Sequence, residues 1–180
     1  MLNRRNWVVS IIALLLVSSL AACMAAPVAV PDREIMVDVT TALEAQNKAM
    51  GLMSGNVEWS EAEFSSLLSV LLQQNGGENN PVNDVKVWFE PDNQIFISVG
   101  LRDGVIPTGN TLDLAGSVSV VDNHVVVDLQ QVGAGGMSVS GAMLAPISAQ
   151  INAALADPSM GVAVDVATDT GSISVGLGGM

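Results

Sequence analysis

The sequence predicts an α+β domain in which an antiparallel meander packs with amphipathic helices. Three observations carry that expectation. Residues 60–75 repeat apolar side chains at the 3.6-residue period of a helix, residues 82–133 switch to period 2, and residues 142–156 return to the helical period. Turn-forming residues, not helices, separate the period-2 runs, which makes neighbouring strands antiparallel.

The chain opens on Met1-Leu2-Asn3-Arg4-Arg5, and Trp7 to Leu20 is almost entirely apolar. A basic start, a short apolar run and a small-residue exit are the layout of a secretory signal peptide. The run is shorter than the roughly 20 residues of a membrane span. Its exit, Leu20-Ala21-Ala22-Cys23, resembles the bacterial lipobox, which implies cleavage after residue 22 and lipid on Cys23. The other reading is an ordinary cleaved signal followed by a stray cysteine. A lone free thiol in an oxidising compartment invites wrong pairing, and a thioether-linked lipid removes that hazard. A diacylglyceryl group holds stably where one acyl chain holds marginally. The expected organisation is a signal over 1–22, a lipidated cysteine and tether over 23–33, one domain over 34–177 and a loose tail over 178–180. The expected location is the extracytoplasmic face of a bacterial membrane.

The whole chain has six Lys and Arg against eighteen Asp and Glu. Removing Arg4 and Arg5 with the signal leaves four against eighteen, a formal charge of −14. Such a surface repels nucleic acid and offers anionic headgroups no basic patch.

The remaining elements follow in order. "MAAPVAVPDR" at 24–33 reads as a tether, and "EIMVDVT" alternates Ile35, Val37 and Val39 as a short strand would. "TALEAQNKAM" holds strong helix formers. In "VEWSEAEFSSLLSVLLQQNGG" the Ser60/Glu63 spacing fits a capping box. Phe64, Leu67, Leu68, Leu71 and Leu72 then form one apolar face, and Gly76-Gly77 ends the helix. Four strands follow, with apolar faces Val85/Val87/Phe89, Ile95/Ile97/Val99/Leu101, Leu112/Leu114/Val118/Val120 and Val125/Val127/Leu129. Pro91-Asp92-Asn93, Asp103-Gly104 and Asp122-Asn123 supply the turns. A helix over Ala142–Ala156 aligns Met143, Leu144, Ile147, Ile151 and Leu155, with Pro146 in its first turn. Two alternating runs close the domain, Val162/Val164/Val166 and Ile173/Val175/Leu177.

Catalytic groups are scarce. The single histidine, His124, follows a turn, and the chain has no tyrosine. Gly136-Met137-Ser138-Val139-Ser140 misses the nucleophile-elbow pattern for want of the second glycine. "GAGG" at 133–136 lacks the Lys-Ser/Thr of a phosphate loop. No Cys/His set has zinc spacing, and no carboxylate run has calcium-loop spacing. Neither enzymatic activity nor a cofactor is expected.

Function must then lie in shape. The order of capped helix, four strands and "VGAGGMSVSGAMLAPISAQINAALAD" resembles the YpmS-like and LmeA-like families of anchored extracytoplasmic proteins. Ser60-Glu61-Ala62-Glu63-Phe64 matches their acidic helix start, and Val132-Gly133 with Met137-Ser138-Val139 echoes their entry to a late helix, with the proline displaced to Pro146. The resemblance spans about residues 35–157. It implies a TULIP-like fold, a curved antiparallel meander sheet around amphipathic helices, with an apolar groove for a phospholipid or other amphiphile. Phe64, Leu68, Leu71, Ile97, Val99, Leu114, Val127, Ile147 and Ile151 are the expected groove lining. The alternative is a non-enzymatic lipoprotein with a fully packed core that engages a protein partner at the cell envelope.

Overall fold

A computed structural model describes residues 28–49, 55–75, 80–104, 109–134, 137–138, 144–156 and 163–176. Cys23, the signal segment, Gly76-Gly77, Leu177 and the 178–180 tail lie outside the described residues.

Asp38 starts the first helix. Its Oδ1 accepts the Thr41 N–H at 2.9 Å, and its Oδ2 accepts the Thr41 hydroxyl at 2.6 Å, an N-cap that fixes α1 at Val39–Ala49. The strand expected over 34–40 is therefore absent: residues 28–38 form an unpaired strap. Alternation survives locally, with Ile35 buried and Met36 exposed, but no strand lies alongside to pair. Ala42, Ala45 and Ala49, the buried side of α1, are small enough to let it settle closely onto the next helix.

The segment before that helix holds a strand the sequence reading missed. β1 (Val57–Ser60) runs directly into α2 (Glu61–Asn75). Ser60 is both the last residue of β1 and the cap of α2. Its N–H donates to Glu63 Oε2 at 2.9 Å, and the Glu63 N–H donates to Ser60 Oγ at 3.3 Å, the reciprocal capping box.

β2 (Val82–Glu90), β3 (Gln94–Leu101), β4 (Thr111–Val121) and β5 (His124–Ala134) form the expected antiparallel meander, and the two-residue β6 (Met137–Ser138) adds to β5. The left-handed conformation of Asp122 and Asn123 (φ 49° and 63°) makes the β4–β5 connection a tight primed turn. Asp92 and Asn93 adopt positive φ in the β2–β3 turn as well. One irregularity was not expected. Ala115 faces Gln131 and Gly116 faces Leu129, so Gln130 is the extra residue of a bulge in β5. Gly116 belongs there, because a Cβ at that position would collide with the Asp128 carbonyl oxygen.

The late helix, α3, spans Leu144–Leu155 with Pro146 in its first turn. β7 (Asp165–Asp169) and β8 (Ser172–Gly176) form a hairpin, and β1 pairs with β8. β7 begins after Val164, which is exposed, so only Val166 of the expected trio is seen buried; Val162 lies outside the described residues. The architecture is thus α+β with two open antiparallel sheets, ordered β1-β8-β7 and β2-β3-β4-β5-β6. One core cluster draws on both sheets and all three helices. Within it Trp59, Phe64 and Phe89 stack edge to face, at centroid distances of 6.3 and 5.2 Å. The Trp59 indole N–H donates to the Ala45 carbonyl at 3.0 Å, which satisfies the polar end of a buried ring.

Candidate functional site

Eight of the nine expected groove residues come together, but as interior. Phe64, Leu68, Leu71, Ile97, Val99, Leu114, Val127 and Ile151 belong to one cluster and are each 0–6 % exposed. The side chain of Ile147 lies outside the described residues. Helix α2 packs on β2 and α3 on β5, and their apolar side chains join Val85, Val87, Ile95 and Ile97 in one buried cluster. At these eight positions the side chains are buried rather than open to solvent. Periodicity identified the inward-facing residues. Leu71 also borders a hollow of about 130 Å3 between α1 and α2.

Polar residues of α2 hold the free edge of the meander. Glu61 Oε1 accepts the Phe89 N–H at 2.9 Å, Ser65 Oγ the Val87 N–H at 2.8 Å, and Ser69 Oγ the Val85 N–H at 2.8 Å. Gln73 Nε2 continues the series by donating to the Asn83 carbonyl at 2.6 Å. The four lie one helical turn apart and meet every second residue of the strand. Four helical residues rise about 6.0 Å and two strand residues about 6.7 Å, so the two series drift slowly out of step. The short serines sit in the middle, and the longer Glu61 and Gln73 make up the difference at the ends. No reading of the sequence foresaw this ladder, although three serines, Ser65, Ser66 and Ser69, set among the leucines of the helix were the available signal.

At one end of the ladder the strap is fastened. The Arg33 guanidinium donates to Glu61 Oε1 at 2.6 Å, to Glu90 Oε1 at 2.7 Å and to the Phe89 carbonyl at 3.2 Å. The Trp88 indole N–H returns a bond to the Arg33 carbonyl at 2.9 Å. The hydrogen bonds it donates to Glu61, and secondarily to Glu90, hold the guanidinium pKa above its ordinary value, so Arg33 stays charged. Lys48 at the end of α1 is pinned to Glu63 at 2.6 Å. The Glu63 carboxyl is held below its usual range: burial raises it, and the Lys48 and Ser60 hydrogen bonds together outweigh burial. Asp38 is likewise lowered, first by the Thr41 hydroxyl and then by backbone N–H groups. Two of the four cations among the described residues, Arg33 and Lys48, are thus engaged in ion pairs with acidic residues at the start of α2 and the end of β2.

The strap and α1 also carry the most exposed large apolar side chains of the described surface. Met36 is 76 % exposed, Val39 67 % and Leu43 55 %, and they stand as a ridge. A hollow of about 430 Å3 flanks it toward Ser69, Asn83 and Lys86, and the smaller α1–α2 hollow flanks its other side.

His124 is exposed at the start of β5. Of the elbow-like segment, Gly136, Val139 and Ser140 lie outside the described residues. Among the described residues no group of three or more His, Cys, Asp or Glu side chains comes together to hold a metal ion, and no helix is long and apolar enough to cross a membrane. Compared with protein-family models, curated proteins and solved structures, the chain matches none of them at a significant level.

Proposed function

We propose that this chain is a lipid-anchored extracytoplasmic protein that works through its surface, engaging a protein partner at the cell envelope while its core stays closed. The observation that carries the reading is the contrast between two apolar sets. The eight residues that would have formed a ligand groove are packed away, whereas Met36, Val39 and Leu43 stand in solvent on the first elements after the tether.

The leash is short. Four residues separate Cys23 from Val28, the first described residue, and the five steps at about 3.3–3.6 Å each reach at most about 18 Å. Arg33 then ties the strap to Glu61 and Glu90, so motion of the anchored strap passes directly into α2 and the edge of the sheet. A partner meeting the ridge would bury three apolar side chains amid an acidic surface. Its matching face therefore needs apolar side chains rimmed by lysine or arginine.

Photo-crosslinking from position 43 in intact membranes tests this. A discrete adduct is expected, lost on Met36→Asp and retained on Val121→Asp, which changes an exposed valine elsewhere. Cys23→Ser should release the domain from membranes or leave it unprocessed. Organic extraction of the purified Cys23→Ser domain should yield no stoichiometric lipid. A stoichiometric phospholipid in that extract, or no adduct from position 43, would overturn the reading.

A further inference from the structure

The outer face of the meander carries a second feature, separate from the ridge. β4 presents the small side chains of Ala115 and Ser117 with Gly116 between them, and the strands on either side present taller ones. Phe96 and Gln94 rise from β3, where they face Ala115 and Ser117 in register. Gln131 faces Ala115 from β5, and the bulge at Gln130 turns two consecutive glutamines away from the core. The result is a trough along β4 of about 440 Å3, with Asp92 at one end. That volume lies within the roughly 300–1,000 Å3 of small-molecule sites.

The lining has a defined chemistry. Three exposed amides, one hydroxyl and one carboxylate offer paired donors and acceptors, and Phe96 offers a half-buried aromatic ring. Neither lysine nor arginine contributes. On a chain of charge −12, a site walled by neutral amides is set apart from its surroundings. An anionic ligand meets no cation here, and a fully apolar one would strip water from the amides. A peptide strand finds no ladder to join, because β3 and β4 are already paired on both sides. What fits is a neutral ligand with hydroxyls around its rim and a C–H face for the ring.

We propose that this trough binds a neutral saccharide, with Phe96 as the stacking platform and Gln94, Gln130, Gln131 and Asp92 bonding its hydroxyls. Trp88 supports the platform's placement: it faces Phe96 across β2–β3 and is itself buried beneath the strap. The strap thus covers the β2 end of this face and leaves β3 to β5 open. The site stands on its own geometry and does not depend on partner docking at the ridge.

The test is an amide NMR titration of the Cys23→Ser domain with cellotriose, maltotriose and the trimer of N-acetylglucosamine. At least one sugar is expected to shift Gly116, Ser117 and Gln131 together. Phe96→Ala should weaken that binding about tenfold or more, as loss of an aromatic platform does. Ser117→Trp, which plugs the trough from an outward-facing position and keeps the core intact, should abolish it, and Leu43→Asp should leave it unchanged. No response to any of the three sugars, shifts confined to other surfaces, or binding that survives Ser117→Trp would each overturn the proposal.

Discussion

The meander is guarded at both sides by a helix, and the two helices do it differently. At β2, α2 supplies Glu61, Ser65, Ser69 and Gln73, four ties spread along the strand. At β5, α3 supplies a fork at one residue. Asn152 accepts the Val127 N–H at 2.8 Å and donates to its carbonyl at 3.0 Å, and Ser148 adds a bond to the same carbonyl at 3.3 Å. Unpaired edges invite another strand, and side chains that answer their N–H and C=O groups remove the invitation. The comparison teaches that apolar packing and edge protection can be carried by one helix at once. In α2 the leucine face and the serine face lie side by side; in α3 the polar contribution narrows to a point.

That difference sets how each helix responds to a hole beneath it. Leu68 and Ile151 are both about 2 % exposed in the same core. Truncation to alanine in a close-packed interior costs about 2–5 kcal/mol, more where the surroundings cannot collapse. Four ties hold α2 in place over the cavity, so Leu68→Ala is expected near the upper end, about 4 kcal/mol. α3, held at one residue, can settle inward, and Ile151→Ala is expected near about 2 kcal/mol. Denaturant melts of the Cys23→Ser domain measure both. A Leu68→Ala loss near 1 kcal/mol would show that the residue borders open space instead.

The ties themselves come next in size. Ser69 is buried and its hydroxyl both accepts the Val85 N–H and donates to the Val85 carbonyl at 3.0 Å. Ser69→Ala strands both backbone groups in the interior, at about 2 kcal/mol. Asn152 is half-exposed, so water can replace what Asn152→Ala removes, and the loss falls to about 1 kcal/mol. Equal losses at the two positions would erase the distinction between a guarded edge and a pinned one.

The same contrast explains what could be read in advance. The capping box was legible because Ser60 and Glu63 bond across three residues of chain, and such local geometry leaves a local pattern. The four meander strands were legible because each has one buried face. β1 was hidden because Ser60 serves strand and helix at once. The strap was misread because alternation reports which side of a chain is covered and says nothing of a neighbour to pair with; α2 already occupies the edge of β2. The bulge had left a trace: Leu129 and Val132 are three residues apart where period 2 would place them two or four apart. How far the interior is filled leaves none. Whether apolar stripes enclose a space or fill it depends on distances between elements remote in sequence, and periodicity carries no information on those.

The smallest effect concerns the start of α2, where ladder, cap and both cation ties converge. Glu63 is depressed below the ordinary carboxylate value of about 4.3. A carboxyl whose folded pKa is lowered adds stability that is fully present above its unfolded pKa and is lost as pH falls through the folded one. The contribution is therefore intact at neutral pH and fades from about pH 5 downward. Glu63→Gln keeps an acceptor for the Ser60 N–H and removes the charge opposite Lys48. Lys48 is 47 % exposed, so solvent screens the pair and the loss at pH 7 stays below about 1 kcal/mol. The difference between the stability curves of the parent and the variant isolates Glu63 from the other carboxylates. It should be constant above about pH 5 and shrink toward pH 3, and a gap that stays constant down to pH 3 would show that the cap works without its charge.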